Sequence, residues 1–110
     1  MQKKNIKKSQ KDCSIKDILD IIGGKWAMPI IYNLSKGKLR FKEIERTVTG
    51  INTRMLVKEL KNLELNGIIS RTVFATVPPT VEYALTSKGK KLLPSIHSLY
   101  KWGQEFATKK

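Results

Sequence analysis

The sequence predicts an α+β fold of the winged helix-turn-helix class, and three observations predict it. A short amphipathic segment ends at a glycine turn, a cationic amphipathic helix follows that turn, and two strand-like segments flank a pair of prolines. We expect the strands to form a two- or three-stranded antiparallel wing. We also expect N- and C-terminal helices outside this unit to mediate dimerisation.

The first helix of the pair is predicted from Phe41, Ile44 and Val48, which recur at the spacing of one helix face. Thr49-Gly50-Ile51 interrupts this period and indicates a turn. Asn52 then stands where an N-cap is needed, because its side-chain oxygen can accept a hydrogen bond from a free amide of the next helix.

The second helix separates apolar and basic side chains. Its apolar side carries leucines at helical spacing, at Leu56, Leu60 and Leu63. Arg54, Lys58 and Lys61 fall on the opposite side. Cations opposite leucines also occur on ordinary solvated helices, but the wing that follows favours a helix that enters the major groove of DNA.

The wing is predicted over residues 68–75 and 80–86, which are rich in β-branched and aromatic side chains. The segment between them is Thr76-Val77-Pro78-Pro79. Two prolines stiffen a hairpin tip and cannot donate to a strand ladder, which suits a wing lying along a minor groove or phosphate backbone. Residues 38–40 are expected to pair briefly with this wing.

The flanking segments predict further helices. Ser14 and Asp17 resemble a capping box at the start of a helix that ends at Gly23-Gly24. Residues 25–36 form the next helix, with Pro29 near its first turn. Gly67 is expected to end the leucine-bearing helix, and the apolar spacing from residue 92 to residue 106 predicts one long C-terminal helix.

Composition points to a polyanionic partner. The 110 residues include 22 Lys plus Arg against 9 Asp plus Glu, a formal net charge of +13. An acidic membrane surface would also attract this charge, but the basic residues are spread through a globular pattern instead of one isolated amphipathic helix. DNA or RNA is therefore the favoured class of partner, and no membrane partner is expected.

Length and charge patterning predict one domain. With 40% hydrophobic residues, residues 13–106 are expected to form a single DNA-binding domain and residues 1–12 a disordered basic arm. The stretch from Ile15 to Ile22 is broken by charges, so neither a signal peptide nor a membrane span is predicted. We expect a cytoplasmic, nucleoid-associated protein.

Catalytic and metal-binding chemistry has few candidates. His97 is the only histidine and has no ligand cluster at suitable spacing, so we expect a surface or interface residue, no metal, no cofactor and no enzyme. Trp26 and Trp102 are interpreted as core or dimer-interface residues. Cys13 is the single cysteine. The helix start and Lys11 favour its thiolate while Asp12 opposes it, so a sensor and a structural cysteine both stay open.

Many of these residues resemble one family. The matching motifs are Cys13, Gly23-Gly24-Lys25-Trp26, Arg40-Phe41, Gly50-Ile51, Met55-Leu56, Leu60, Leu63-Glu64, Gly67, Pro78-Pro79, Val81-Glu82-Tyr83, Leu85-Thr86, Gly89 and Trp102-Gly103. Together they resemble the HxlR-type transcriptional regulators, relatives of the MarR winged helices, over nearly all of residues 13–103. The sequence departs from the family in Ser14, where Pro is frequent, and in Asn52, where Ser is frequent.

The resemblance implies a homodimer whose first and last helices build the interface and whose two recognition helices read an inverted repeat. It also implies that Cys13 lies near a position where several members sense oxidants or electrophiles. Because this chain has one cysteine, the available outcomes are a bridge between the two Cys13 residues of a dimer, a mixed disulfide, alkylation, or no sensing.

We therefore expect a sequence-specific regulator of transcription, acting as a dimeric repressor on double-stranded DNA, with a small molecule or an oxidant as its effector. The expected DNA contacts are Arg40, Asn52, Thr53, Arg54, Lys58, Lys61, Arg71, Thr76, Pro78 and Pro79. The expected dimer contacts are Ile15, Ile18, Leu19, Leu92, Ile96, Leu99, Tyr100 and Phe106.

Two other classes of function compete. A basic RNA- or ribosome-associated winged helix would share the charge, but single-stranded RNA is usually read by exposed aromatics on a sheet, and the strands offer only Phe74 and Tyr83. A winged helix used only for protein contacts would not need cations on its leucine-bearing helix.

Overall fold

A computed structural model describes residues 13–107, so the predicted basic arm of residues 1–12 lies outside the described part. Helices and strands follow in the order α1 (Ile15–Ile22), α2 (Ala27–Asn33), β1 (Leu39–Arg40), α3 (Phe41–Thr47), α4 (Thr53–Leu65), β2 (Ile69–Phe74), β3 (Thr80–Leu85), α5 (Ser87–Lys90) and α6 (Leu93–Trp102). A 3₁₀ turn, Leu34–Lys36, extends α2, and a π-helical turn, Gly103–Ala107, extends α6.

The first helix begins at the predicted capping box. The Ser14 hydroxyl accepts from the Asp17 amide at 3.2 Å, and the Ser14 amide donates to the Asp17 carboxylate at 3.0 Å. Gly23 closes α1 with its amide donating to the Leu19 carbonyl at 2.8 Å. Two free amides at the helix start are thus satisfied reciprocally, as a capping box requires.

The helix-turn-helix follows the predicted local signals. Gly50 has φ of +92° in the turn after α3, a conformation that L side chains rarely adopt. The Asn52 side chain accepts from the Met55 amide at 2.9 Å and caps α4. Gly67 has φ of +74° directly after the last turn of α4, so the helix ends there and the chain turns toward β2.

The wing is a three-stranded antiparallel sheet in the order β1-β3-β2. Leu39 lies opposite Tyr83 and Ile69 lies opposite Leu85, so β3 is the central strand. The short pairing expected of residues 38–40 is therefore present, and β2 and β3 are each slightly shorter than the predicted segments. The Val77-Pro78 peptide bond at the wing tip is cis.

One core joins the helices to the sheet. Its largest fully buried side chains come from α2, α3, α4 and β2, and are Ile30, Ile31, Ile44, Leu56, Leu63 and Ile69. Burial of the leucine side of α4 removes apolar area from water and fixes which side of the helix faces outward.

The long C-terminal helix expected from residue 92 to residue 106 is present as α6 and its π-helical extension, over residues 93–107, and the short helix α5 before it is an additional element that the apolar spacing does not predict. Thr86 caps the start of α5, which ends at Lys90. A turn follows, and α6 begins at Leu93 with Pro94 in its first turn, where a missing amide donor costs least. Ile96 is only 6% exposed and packs into the protomer's own core, with half-buried Leu92 beside it. Ile96 is therefore left out of the dimer surface discussed below.

No helix within residues 13–107 is long and apolar enough to cross a membrane.

Candidate nucleic-acid interface

The outward face of α4 carries uncompensated positive charge. Arg54, Lys58 and Lys61 are all exposed, on the side of the helix opposite the buried leucines. Within residues 13–107 none of the three forms an ion pair or a side-chain hydrogen bond. Their charges are therefore available to a polyanion without the breaking of an internal contact.

The start of α4 is held to α3 by a contact that sequence reasoning missed. The Thr53 hydroxyl donates to the Glu45 carboxylate at 2.5 Å. Glu45 was not among the predicted site residues. Its position eight residues before Thr53, on the other side of the Gly50 turn, gives no periodic signal in the sequence.

A second arginine joins the α4 cations from the sheet. Lys61 and Arg71 line one shallow depression between α4 and β2, together with Glu64. On its other side, Lys61 lines a depression with Lys58, Glu59 and Asp20 of α1. Lys61 thus borders both depressions. Arg71, which lies on β2, extends the basic surface from α4 toward the wing.

The wing tip is fully exposed. The Thr76 hydroxyl donates to the Pro78 carbonyl at 2.7 Å, which closes the loop on itself, and Pro78 and Pro79 are exposed. At the opposite strand edge, Lys38 pairs with Glu82 at 3.5 Å. Arg40 is exposed at the start of α3, where its amide donates to the Glu43 carboxylate at 2.8 Å.

Apolar side chains are exposed on the first and last helices. They are Ile15, Ile18 and Leu19 on α1 and Leu99, Tyr100, Trp102 and Phe106 on α6 and its extension. A groove of about 690 Å³ runs between α2 and α6, lined by Met28, Tyr32 and Leu99 among others. Exposed large apolar side chains grouped in this way are typical of an interaction site.

Aromatic rings contact one another in and near this groove. The Tyr32 and Tyr100 rings stack with centroids 5.8 Å apart, and the exposed His97 ring lies 6.0 Å from Tyr32. The ring centroids of Trp102 and Phe106 lie 5.5 Å apart. Trp26 is half-buried against the core, and the Lys25 ammonium lies 5.2 Å from the centroid of its ring. The two tryptophans therefore occupy an apolar surface and the core edge respectively.

Cys13 is exposed immediately before α1, and its thiol donates to the Ser14 carbonyl at 3.3 Å. It lies on the chain segment that leads into the exposed apolar side chains of α1. Residues 13–107 hold no group of three histidine, cysteine or acidic side chains that could bind a metal ion.

Comparisons with known proteins agree on one family. A profile described as HxlR-like helix-turn-helix matches residues 21–110. An HTH-type transcriptional regulator of Methanothermobacter thermautotrophicus is 44% identical over 96 residues, 87% of this chain and 73% of that protein. The HTH-type transcriptional regulator YybR of Bacillus subtilis is 42% identical over 103 residues, 94% of this chain and 82% of that protein.

Among solved structures, the redox regulator HypR in its oxidized form superposes with a TM-score of 0.81 at 40% identity. The match covers 89% of this chain and 99% of HypR.

Proposed function

The chain belongs to the HxlR-like helix-turn-helix family, whose relatives are transcriptional regulators, and on that basis we propose that it is a homodimeric repressor of an inverted-repeat operator. Family membership confirms the predicted fold class, the DNA-binding regulatory role and the non-enzymatic class. The dimer, the operator symmetry and the contacting residues are the proposal.

The observation that carries this proposal is the exposed cationic face of α4, which has no ion pair within residues 13–107 and is held outward by buried leucines. Thr53 and Arg54 lie at the start of the helix, the part that reaches base edges in helix-turn-helix proteins. Lys58, Lys61 and Arg71 lie further back and contact phosphates. The remaining proposed contacts flank them, from the α3 start, the α4 cap and the wing: Arg40, Asn52, Thr76, Pro78 and Pro79.

Duplex DNA is favoured over single-stranded RNA by the burial of the strand aromatics. Tyr83 is 8% exposed, which leaves Phe74 as the only strand aromatic with a substantially exposed ring in the described sheet. A stacking platform for unpaired bases needs several exposed rings.

Two matched variants test the DNA contacts. Arg54→Ala is expected to cost about 1 to 3 kcal/mol of operator binding and to relax preference at one base position of each half-site, because a guanidinium can pair bidentately with guanine. Lys61→Ala is expected to weaken binding to all DNA sequences alike. It should also lower the slope of log affinity against log salt concentration by about 0.9, because one phosphate contact is lost. Binding is measured by fluorescence anisotropy at several salt concentrations.

Lys90→Ala is the control, since Lys90 is an exposed cation on α5 and outside the proposed contacts. It removes the same charge and should leave base preference unchanged. Unchanged operator affinity in Arg54→Ala would contradict the assignment of α4 as the reading helix.

We propose that an oxidant or electrophile acts through Cys13. Two observations support this: the thiol is exposed at the start of α1, and the similar protein HypR is named a redox regulator. Because the chain has one cysteine, modification means a bridge to the other protomer's Cys13, a mixed disulfide with a small thiol, or alkylation. Modification beside α1 would change how the two protomers pack.

A further inference from the structure

The hydrogen bond between Thr53 and Glu45 limits what the start of α4 can recognise. Thr53 is exposed in the first turn of the helix, and Glu45 is half-buried on α3. The Thr53 hydroxyl donates its hydrogen to the Glu45 carboxylate. A hydroxyl has one hydrogen and two lone pairs, and a carboxylate has lone pairs only. The pair of side chains itself therefore offers acceptors and no donor.

The major groove contains few groups that complement such a spot. Guanine presents the acceptors N7 and O6, and thymine presents the acceptor O4 and a methyl group. Only adenine, through its N6 amino group, and cytosine, through its N4 amino group, present donors there. We infer that the Glu45–Thr53 pair is a specificity determinant that selects a base with an exocyclic amino group at one position of each half-site.

This inference rests on the proposed entry of the α4 N-terminus into the major groove. Arg54, the next residue along the helix, has donors only, so it favours the acceptors of guanine. Donor and acceptor groups thus lie side by side at the tip of the helix. Two base preferences of opposite kind follow, one for guanine and one for an amino-bearing base.

The contact also explains how a carboxylate is accommodated on a surface that binds phosphate. The positive end of the α4 dipole lies at Thr53, and it stabilises a negative group placed there. The carboxylate repels a phosphate that approaches this spot. A site with guanine or thymine facing the pair is therefore disfavoured relative to one with adenine or cytosine there.

Selection of duplexes from a pool with random sequence tests the pair, with wild type, Thr53→Val and Glu45→Gln as the proteins. Wild type is expected to enrich adenine or cytosine over guanine and thymine by about 5- to 100-fold at one position of each half-site. The selected base distinguishes the adenine amino group from that of cytosine. Thr53→Val keeps the shape and replaces the hydroxyl and its lone pairs by a methyl group, so preference should move toward the thymine methyl.

Glu45→Gln introduces an amide donor, so guanine and thymine should become acceptable at that position. Glu59→Gln is the control, because Glu59 is a half-buried glutamate on α4 and its loss changes net charge equally. It should leave the selected sequence unchanged.

The outcomes separate this inference from the proposed function. If Arg54→Ala alters the selected sequence while Thr53→Val and Glu45→Gln select the wild-type bases, the inference is wrong and the reading helix stands. If wild type selects no sequence at all, the proposed operator binding fails instead. Thermal unfolding of both variants verifies that the compared proteins are folded.

Discussion

Cys13 is the residue through which we propose that a chemical signal acts on the whole regulator. It is exposed, and it directly precedes a helix whose side chains Ile15, Ile18 and Leu19 lie in the proposed dimer surface. In the proposed dimer, a covalent change there would alter the packing of α1, which contacts α4 within the protomer. A lone exposed thiol without this neighbourhood would have no route to the DNA.

We expect diamide to change the operator affinity of the wild-type protein and to leave Cys13→Ser unaffected. The measurement is a titration of labelled operator before and after treatment, followed by reduction to restore the original affinity. Non-reducing electrophoresis distinguishes a Cys13-to-Cys13 bridge, which doubles the mass, from a mixed disulfide. An equal response of the serine variant, or no response of wild type, would show that another signal controls the regulator.

At the scale of elements, the end of α4 is tied to the end of the wing. The Thr86 hydroxyl lies 2.6 Å from the Gly67 carbonyl and 3.1 Å from the Ile68 carbonyl, and it accepts from the Gly89 amide at 3.0 Å. The Lys88 ammonium donates to the Asn66 carbonyl at 2.8 Å. Helix α4, strand β3 and helix α5 are therefore fastened at one junction.

Gly89 is required at this junction for a steric reason. A Cβ atom at Gly89 would lie 2.1 Å from the Ile68 carbonyl oxygen, which is too close for any side chain. The backbone of α5 can approach the α4–β2 connection only because this position is glycine.

Thr86→Val is expected to lower the free energy of unfolding by about 1 to 3 kcal/mol, because it removes an N-cap and leaves a half-buried carbonyl with fewer partners. Thr86→Ser retains the hydroxyl and should lose much less. Urea unfolding at one fixed protein concentration measures both, since dimerisation couples stability to concentration. Equal destabilisation by serine and valine would mean that the methyl group, not the hydroxyl, matters at this junction.

At the scale of the whole molecule, the exposed apolar side chains of α1 and α6 support a two-fold dimer. Packing them across an axis, with partner side chains filling the groove between α2 and α6, would remove this surface from water. The two α4 helices would then bind half-sites about 34 Å apart, one turn of DNA.

Leu99→Glu is expected to shift the protein from dimer to monomer at micromolar concentration, because a charge is placed in a buried interface. Leu65→Glu is the matched control: Leu65 is 86% exposed on α4, against 55% for Leu99, and lies outside the proposed interface. Light scattering reports the mass of each. A monomeric wild type, or dissociation caused equally by both substitutions, would contradict this dimer surface.

The features that could be predicted from the sequence are those specified by neighbouring residues. Asn52 was recognised as a cap because its partner, the Met55 amide, is three residues away. Gly67 was recognised as a helix end, and the outward side of α4 followed from the leucine spacing. Each signal lies within one or two turns of chain, so local geometry alone determines it.

Tertiary structure decided which of the apolar residues at helical spacing are buried and which side chains from different elements come into contact. Ile96 shares the spacing of Leu99 but faces the core, because packing of α6 on α2 selects one side of the helix. Glu45 meets Thr53 only because the Gly50 turn sets the angle between α3 and α4. By itself, the sequence determined the order of the elements from α1 to β3 and the basic face of α4. The acceptor pair at its tip depends on contacts between segments, and no local pattern encodes their geometry.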